Sequence, residues 1–420
     1  MTARTGIEPF VASDWPVVTL DQLKAPVKYA FVGGPFGSNL TSEDYVSTPG
    51  VPVIRGNNLG GKEPRFIDDD FVFVSESKAE SLQQNMAHPG DLIVTQRGTL
   101  GQIAEIPRNS AYTRYVISQS QMKLTVNEDL ASPRYLYHYY RSPIATACLN
   151  RRIQATGVPH INLAILKEFP VPLPPLSEQK RIAAILDKAD ALRRKRQQAL
   201  QLTEQFLRST FLDMFGDPVS NPKGWPIVPL QVATVRITKG ESPKWQGYEY
   251  QPEGVRFVTS ENVLWGRLDT SEPKFIPGGF HAKLRRSQLA GGDVLVNLVG
   301  ASVGRTCIVK DDILPANVNQ AVAVVSVNKK RLLPTFLLNQ LLANSTQRKL
   351  LGNIVESARA NISLTNVKEL EIILPDITHQ RRWDDVAKRI AETEKRIEES
   401  SLMVSDLFHS LVQRAFRGEL

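Results

Sequence analysis

A chain of 420 residues with 42% hydrophobic and 22% charged side chains is too long for one compact core and too apolar to stay disordered, so two or three domains are expected. No run approaches the roughly 18 consecutive apolar residues of a membrane span, and the opening stretch through Trp15 and Pro16 lacks the basic and apolar regions of a signal peptide, which points to the cytoplasm. The net charge of +8 suits a polyanionic partner but is unevenly spread: residues 1–176 and 378–420 balance, while 177–215 and 216–377 carry the basic excess. Nucleic-acid binding by the first large segment would therefore need a local patch. Cys148 and Cys307 can build neither a disulfide framework nor a four-ligand zinc site, and each reads as a small buried hydrophobe.

In chain order, short β-branched runs between Gly, Pro and Asn clusters predict strands at 51–54 and 91–95, and residues 134–150 predict helix. The step Pro170-Val171-Pro172-Leu173-Pro174-Pro175 closes this mixed segment, because proline and the residue before it resist helix. Ser177 is a candidate N-cap, with Lys180 and Arg181 leading into a periodic run. Its seam is Ile182, Ile185, Ala189, Leu192, Ala199, Thr203, Phe206, Thr210 and Met214, the spacing of a helix that pairs with another. A second mixed segment has a strand at 321–327 and a helix at 334–351, and a second seam follows at Trp383, Val386, Ile390, Thr393, Ile397, Ser400, Val404, Leu407 and Leu411. Arg193-Arg194-Lys195-Arg196 reads as a solvated face opposite the seam.

The chain is a tandem duplication. Asn127 and Asn328, Pro133 and Pro334, Gln179 and Gln380, Ile182 and Trp383, and Phe215 and Phe416 are all separated by 201 residues. Earlier in each half the offset drifts, to 202 for Gly90 and Gly292 and 210 for Trp15 and Trp225, so insertions fall in the variable portion. That period excludes a solenoid of ~20 to 50-residue repeats. The expected fold is α+β: two mixed α/β domains, at 1–176 and 216–377, separated by two long helices at 177–215 and 378–420. Two copies presenting one seam pair most simply about a pseudo-two-fold axis, which makes the helices antiparallel. A helix of that length, about 58 Å, could hold two heads at half-sites ~34 to 36 Å apart on a duplex.

Catalytic constellations are missing. Gly56-Asn57-Asn58-Leu59-Gly60-Gly61-Lys62 begins like a phosphate loop, but Glu63 stands where a hydroxyl should bind magnesium and Pro64 where the helix should start. Phe31-Val32-Gly33-Gly34-Pro35 falls short of a methyltransferase glycine motif, and no Asp-Pro-Pro-Tyr or Asn-Pro-Pro-Tyr segment is present to accept a flipped base. The six histidines lack metal-ligand spacing, and no Gly-x-Ser-x-Gly elbow occurs.

Leu176-Ser177-Glu178-Gln179-Lys180-Arg181-Ile182 after the proline step, the long helix, and Met214-Phe215-Gly216-Asp217-Pro218 ahead of Asn221-Pro222-Lys223-Gly224-Trp225-Pro226 form one combination. With Thr156-Gly157-Val158-Pro159-His160-Ile161-Asn162-Leu163 and the Gly90-Asp91 and Gly292-Asp293 strands, each followed by a glycine turn, the chain resembles the specificity (S) subunit of type I restriction-modification systems along its whole length. The second copy departs mildly, with Thr378-His379-Gln380 and Pro375-Asp376. The resemblance implies a non-catalytic subunit whose two target recognition domains each read one half of a split, asymmetric DNA site. It further implies two modification subunits that bind S-adenosylmethionine and methylate adenine, and restriction subunits that use ATP and Mg2+, with no cofactor held by this chain and no membrane partner.

Base-reading candidates are polar residues in loops after strands. In the first domain these are Arg55, Asn57, Asn58, Thr95, Gln96, Arg97 and Gln119; in the second, Ser260, Glu261, Asn262, Asn297, Arg305, Asn319 and Gln320. The competing reading for each is a turn cap or strand end. Arg151-Arg152 and Arg285-Arg286 are phosphate candidates. Two other function classes stay open: a methyltransferase with diverged motifs, and a scaffold joining two protein partners.

Overall fold

The computed structural model describes residues 7, 11–12, 14–47, 50–60, 65–98, 101–152, 160–352 and 361–420. The stretches 61–64, 99–100 and 156–159 of the motifs above lie outside the described residues. The chain forms two compact units, one of residues 1–198 with 399–420 and the other of residues 199–398. The packing units thus differ from the four linear segments read from sequence. Each combines a mixed domain, the first half of the helix that follows it, and the second half of the other long helix.

In the first unit an antiparallel four-stranded sheet has the order Phe31–Gly33, Gln121–Leu124, Leu92–Thr95, Ile103–Glu105. Leu92–Thr95 is buried at every position, which is why it reads as a continuous apolar run rather than an alternating one. A second sheet has the order Tyr45–Val46, Val72–Val74, Val51–Ile54, Tyr115–Ile117, Met86–Ala87, with Val51–Ile54 parallel to Tyr115–Ile117. Val17–Thr19 pairs with Pro170–Pro172 and so ties the start of the domain to its proline step.

The second unit repeats this topology. Its four-stranded sheet runs Thr234–Lys239, Val322–Val327, Val294–Asn297, Thr306–Ile308; its other sheet runs Lys274–Ile276, Val255–Val258, Ala316–Val318, the last two strands parallel. Ile227–Pro229 pairs with Glu371–Ile373. The α+β class and the internal repeat expected from sequence are therefore present, the second sheet being smaller in the second copy.

The long helices are Leu176–Phe215 and Ile377–Phe416, 40 residues each, or about 60 Å. Within the first unit Ile182, Leu186, Val412, Ala415 and Phe416 share one core, the Phe416 ring lying 5.7 Å from Tyr135 and 5.2 Å from Tyr139. Farther along, the Arg193 guanidinium stands 5.4 Å over the Phe408 ring. Within the second unit Trp383, near one helix start, packs on Phe211 and Phe215 near the other's end at 5.2 and 6.4 Å. Both contacts require antiparallel helices. Among the described residues, no helix is long and apolar enough to cross a membrane.

The seam differs from the strict heptad reading. Ile182, Trp383 and Ile390 are buried; Ile185, Ala189, Ala199, Val386, Ile397, Val404 and Leu411 are half-buried. Leu192, Phe206 and Leu407 are instead exposed, at 42%, 59% and 51%. A straight helix drifts about 20° per heptad from a seven-residue repeat, so their neighbours Leu186, Leu207, Phe211, Phe408 and Val412 carry the packing. Ser177 is not the N-cap either: the Glu178 and Gln179 amides donate to the Pro175 carbonyl, so Ser177 lies inside the first turn. In the second copy Asp376 takes the capping role, its Oδ1 accepting from the Thr378 and His379 amides.

One polar residue anchors each helix to its own domain. Gln179 is fully buried; its Oε1 accepts from the Ser132 amide and its Nε2 donates to the carbonyls of Leu130 and Pro174. Gln380 makes the same three bonds to Leu333, Arg331 and Pro375. Buried amides persist in cores only when satisfied in this way. Cys148 and Cys307 are free and buried, burial pushing the Cys307 thiol up to about 12.

Candidate nucleic-acid interface

Antiparallel register brings the candidate loops of each domain together. In the first, Gly33 faces Met122, Gln121 faces Thr95 and Val94 faces Ile103, so the segments after Gly33, before Gln121, after Thr95 and before Ile103 leave the sheet at one end. The second sheet adds to the same end: Val51–Ile54 and Tyr115–Ile117 run parallel, and the Ser118 amide donates 3.0 Å to the Ile54 carbonyl. Arg55 to Asn58, Thr95 to Arg97 and Gln119 therefore converge. In the second domain Lys239 faces Ala323, Asn297 faces Val322 and Val296 faces Thr306. The Asn319 amide there donates 3.0 Å to the Val258 carbonyl, which gathers Ser260 to Asn262, Asn297, Arg305, Asn319 and Gln320 in the corresponding place.

Convergence does not make every candidate a reader. Asn58 and Thr95 are buried at 1% exposure. Asn58 accepts from the Arg55 amide and donates to the carbonyls of Ile67 and Asp69, while the Thr95 hydroxyl donates to Gln102 Oε1. Asn262 repeats the Asn58 arrangement, accepting from the Thr259 amide and donating to the Asp269 carbonyl. Asn297 is fully buried and donates to the Ser260 carbonyl. In these four the side chains hold the loops in shape, as the competing turn-cap reading has it, because a turn with buried backbone groups needs partners for them.

Gln119 is half-buried and donates to the carbonyls of Gly37 and Leu40 at 2.6 and 2.5 Å; Arg55 donates to the Asp70 carbonyl at 3.3 Å. Asn319 closes its own turn on the Ala321 amide. Glu261 is exposed and paired with Lys274 at 2.6 Å, which lowers its carboxyl pKa. Asn57 and Arg97 are exposed, and Gln96, Ser260, Arg305 and Gln320 half-buried, at the mouth of the cluster. Of the phosphate candidates, Arg286 pairs with Glu241 and Arg152 donates to the Glu168 carbonyl. Sequence reasoning missed Gln121, fully buried beneath the first loops, where its Oε1 accepts from the Ser118 hydroxyl; its place at the sheet end follows from register alone. Among the described residues no group of three or more His, Cys, Asp or Glu could hold a metal ion. Among the described residues the arrangement offers donors and acceptors suited to recognition.

Comparison with known proteins points the same way. The sequence profile of the type I restriction modification DNA specificity domain matches residues 37–202 and 232–399. The chain is 26% identical over 337 residues to the type I restriction enzyme EcoBI specificity subunit of Escherichia coli, covering 73% of this chain and 69% of that one. It is 22% identical over 411 residues to the EcoKI specificity subunit of Escherichia coli, covering 91% and 84%. Its fold resembles a chain from a structure of type I restriction-modification complex assembly, with TM-score 0.57 and 20% identity over 98% of this chain and 99% of that one. It also resembles a type I restriction-modification S subunit from M. genitalium, with TM-score 0.53 and 14% identity over 96% of each.

Proposed function

The chain belongs to the type I restriction-modification DNA specificity family, as a DNA-recognition component rather than a catalytic one, and on that premise we propose that its two domains read the two halves of one bipartite, asymmetric site. Phosphate contacts position such a protein and base-edge contacts specify the sequence. The observation that supports this reading is the duplicated loop cluster: the same strand ends gather candidate side chains in both copies, yet equivalent positions differ, Asn57 against Glu261 and Gln96 and Arg97 against Leu298 and Val299. Shared scaffolds with unlike loops suit two unlike half-sites.

The paired helices set the gap between those half-sites, and partner subunits supply the chemistry. Two modification subunits carrying S-adenosylmethionine dock on this chain and methylate adenine; restriction subunits using ATP and Mg2+ join them. The assembly works on double-stranded DNA in the cytoplasm. Coexpressing the chain with its neighbouring modification subunit and sequencing the methylated adenines tests the reading. A two-part motif with a fixed gap is expected, and one uninterrupted motif would contradict it. Calorimetry on the chain alone separates the methyltransferase alternative, since a micromolar S-adenosylmethionine site in it would overturn the non-catalytic assignment. Duplex affinity should also fall steeply with salt as counterions are released, a behaviour a protein-only scaffold has no reason to show.

A further inference from the structure

Each domain carries one further feature at the end where its candidate loops gather. The strand Phe31–Gly33 is followed by Gly34, and the strand Thr234–Lys239 by Gly240. A Cβ on Gly34 would lie 2.1 Å from the Ser118 carbonyl oxygen, and one on Gly240 1.7 Å from that of Val318. Only glycine permits so close an approach to the neighbouring loop. Just beyond these glycines stand Phe36, 88% exposed, and Trp245, 72% exposed. They are the two most exposed aromatic side chains among the described residues.

Both rings sit on fixed turns. Phe36 leads into the short helical turn Gly37–Asn39, its carbonyl accepting from the Asn39 amide, and Gln119 braces the far side through Gly37 and Leu40. Trp245 lies within Lys244–Gln246, closed by the Gln246 and Tyr248 amides on the Pro243 carbonyl. Glu241 ties that turn down by accepting from Gln246 and pairing with Arg286. Lys239 and Lys244, both exposed, precede Trp245 in the chain. A surface for a protein partner would present a contiguous apolar patch; here each ring stands in a chain stretch of small, polar or basic residues, Gly37 to Asn39 in one copy and Lys244, Gln246 and Gly247 in the other. A lone apolar side chain on a braced turn matches the wedges that enter a duplex between base steps, and an aromatic face stacks on a base only once the loops around it have seated their own half-site.

We propose that Phe36 and Trp245 are equivalent aromatic probes, each stacking against a base of the half-site its own domain reads. The inference rests on the DNA-reading function proposed above. To test it, the full chain assembled with its modification subunits is titrated against duplexes carrying the methylated motif, with either half-site scrambled, by fluorescence anisotropy. Phe36→Ala should weaken binding to the intact motif about tenfold. That penalty should vanish when the half-site of the first domain is scrambled and persist when the other is. Trp245→Ala should give the mirror pattern. Phe36→Trp, which keeps the ring, should retain most of the affinity. Unchanged affinity, an equal loss on every duplex, or release of the modification subunits on size-exclusion chromatography would overturn the proposal. If the unsubstituted complex fails to distinguish the motif from scrambled duplex, it falls together with the reading beneath it.

Discussion

The two joints between mixed domain and long helix share a ring pair, Tyr135 with Phe416 and Phe336 with Phe215, and differ in the contacts around it. In the first unit Arg65 forks across Asp187 and Asp190 on the central helix at 2.8 and 2.7 Å. Asp187 also accepts from buried His138 at 2.8 Å, and Arg134 reaches Glu105. Arg65, Arg134 and Arg141 surround the Tyr137 ring at 5.0 to 5.6 Å. In the second unit the positions of His138 and Asp187 are held, at the 201-residue offset, by Asn339 and Lys388, and the joint is aromatic. Trp383 meets Phe211, and Phe215 meets Phe336, edge to face, while Phe211 is tilted against Phe336, with one Thr335 to Asp384 bond beside them. The glutamine anchor is common to both. Duplication has preserved the neutral hydrogen-bonded framework, while the surrounding contacts diverged between charge and ring stacking.

The largest expected effect lies in the aromatic joint. Trp383→Ala should destabilise the second unit by about 3–5 kcal/mol through the cavity it leaves, read by urea unfolding with hydrogen exchange resolved by segment. Ile182→Ala, its counterpart, removes less volume and should cost less. Next come the anchors. Gln179→Leu and Gln380→Leu each leave one amide and two carbonyls without their partner and should cost about 2–4 kcal/mol, nearly equally in the two units; a large inequality would deny that the anchors are equivalent.

Acid separates the joints further. Burial alone would raise Asp187, but the bonds from His138 and Arg65 outweigh it and draw the carboxyl down to about 2; burial lowers His138 against the pull of Asp187. Both folded pKa values lie below the unfolded ones, so their stabilisation is present above the unfolded values and lost as pH falls. The loss begins near the ordinary histidine value of 6.5 and continues between 3.8 and about 2 for Asp187. Segment-resolved exchange from pH 7.5 to 5.5 should show the first unit loosening more than the second, and His138→Asn should reduce that difference. The smallest effect belongs to exposed seam residues: Leu192→Ala should change stability by no more than about 0.5 kcal/mol, whereas Leu186→Ala should cost about 2–5 kcal/mol.

Much of this was legible because the repeat reports on itself. Positions such as Gln179 and Gln380 that hold one offset through both copies mark the scaffold, and the long helices follow from periodicity. Seam residues such as Leu192 and Leu407 were misread because a heptad template cannot say where a straight helix drifts away from its partner. Candidate loops were locatable as strand ends, but the fates of Asn58 and Asn297 were not. An asparagine that ties down a carbonyl and one that meets a base have the same letter, and only the distance to Asp69 or Ser260 separates them. Phe36 and Trp245 drew no notice in the sequence because their shared place, a few residues beyond the strand ends Gly33 and Lys239, emerges only with the sheet pairing.

The proposed spacing of two half-sites by the paired helices has one direct test. Inserting one heptad into each helix, matched so that the packed faces stay in register, lengthens the span by ~10 Å. Sequencing of methylated adenines should then return the same two half-motifs with a gap wider by about three base pairs. The same gap as in the unaltered protein would contradict the account.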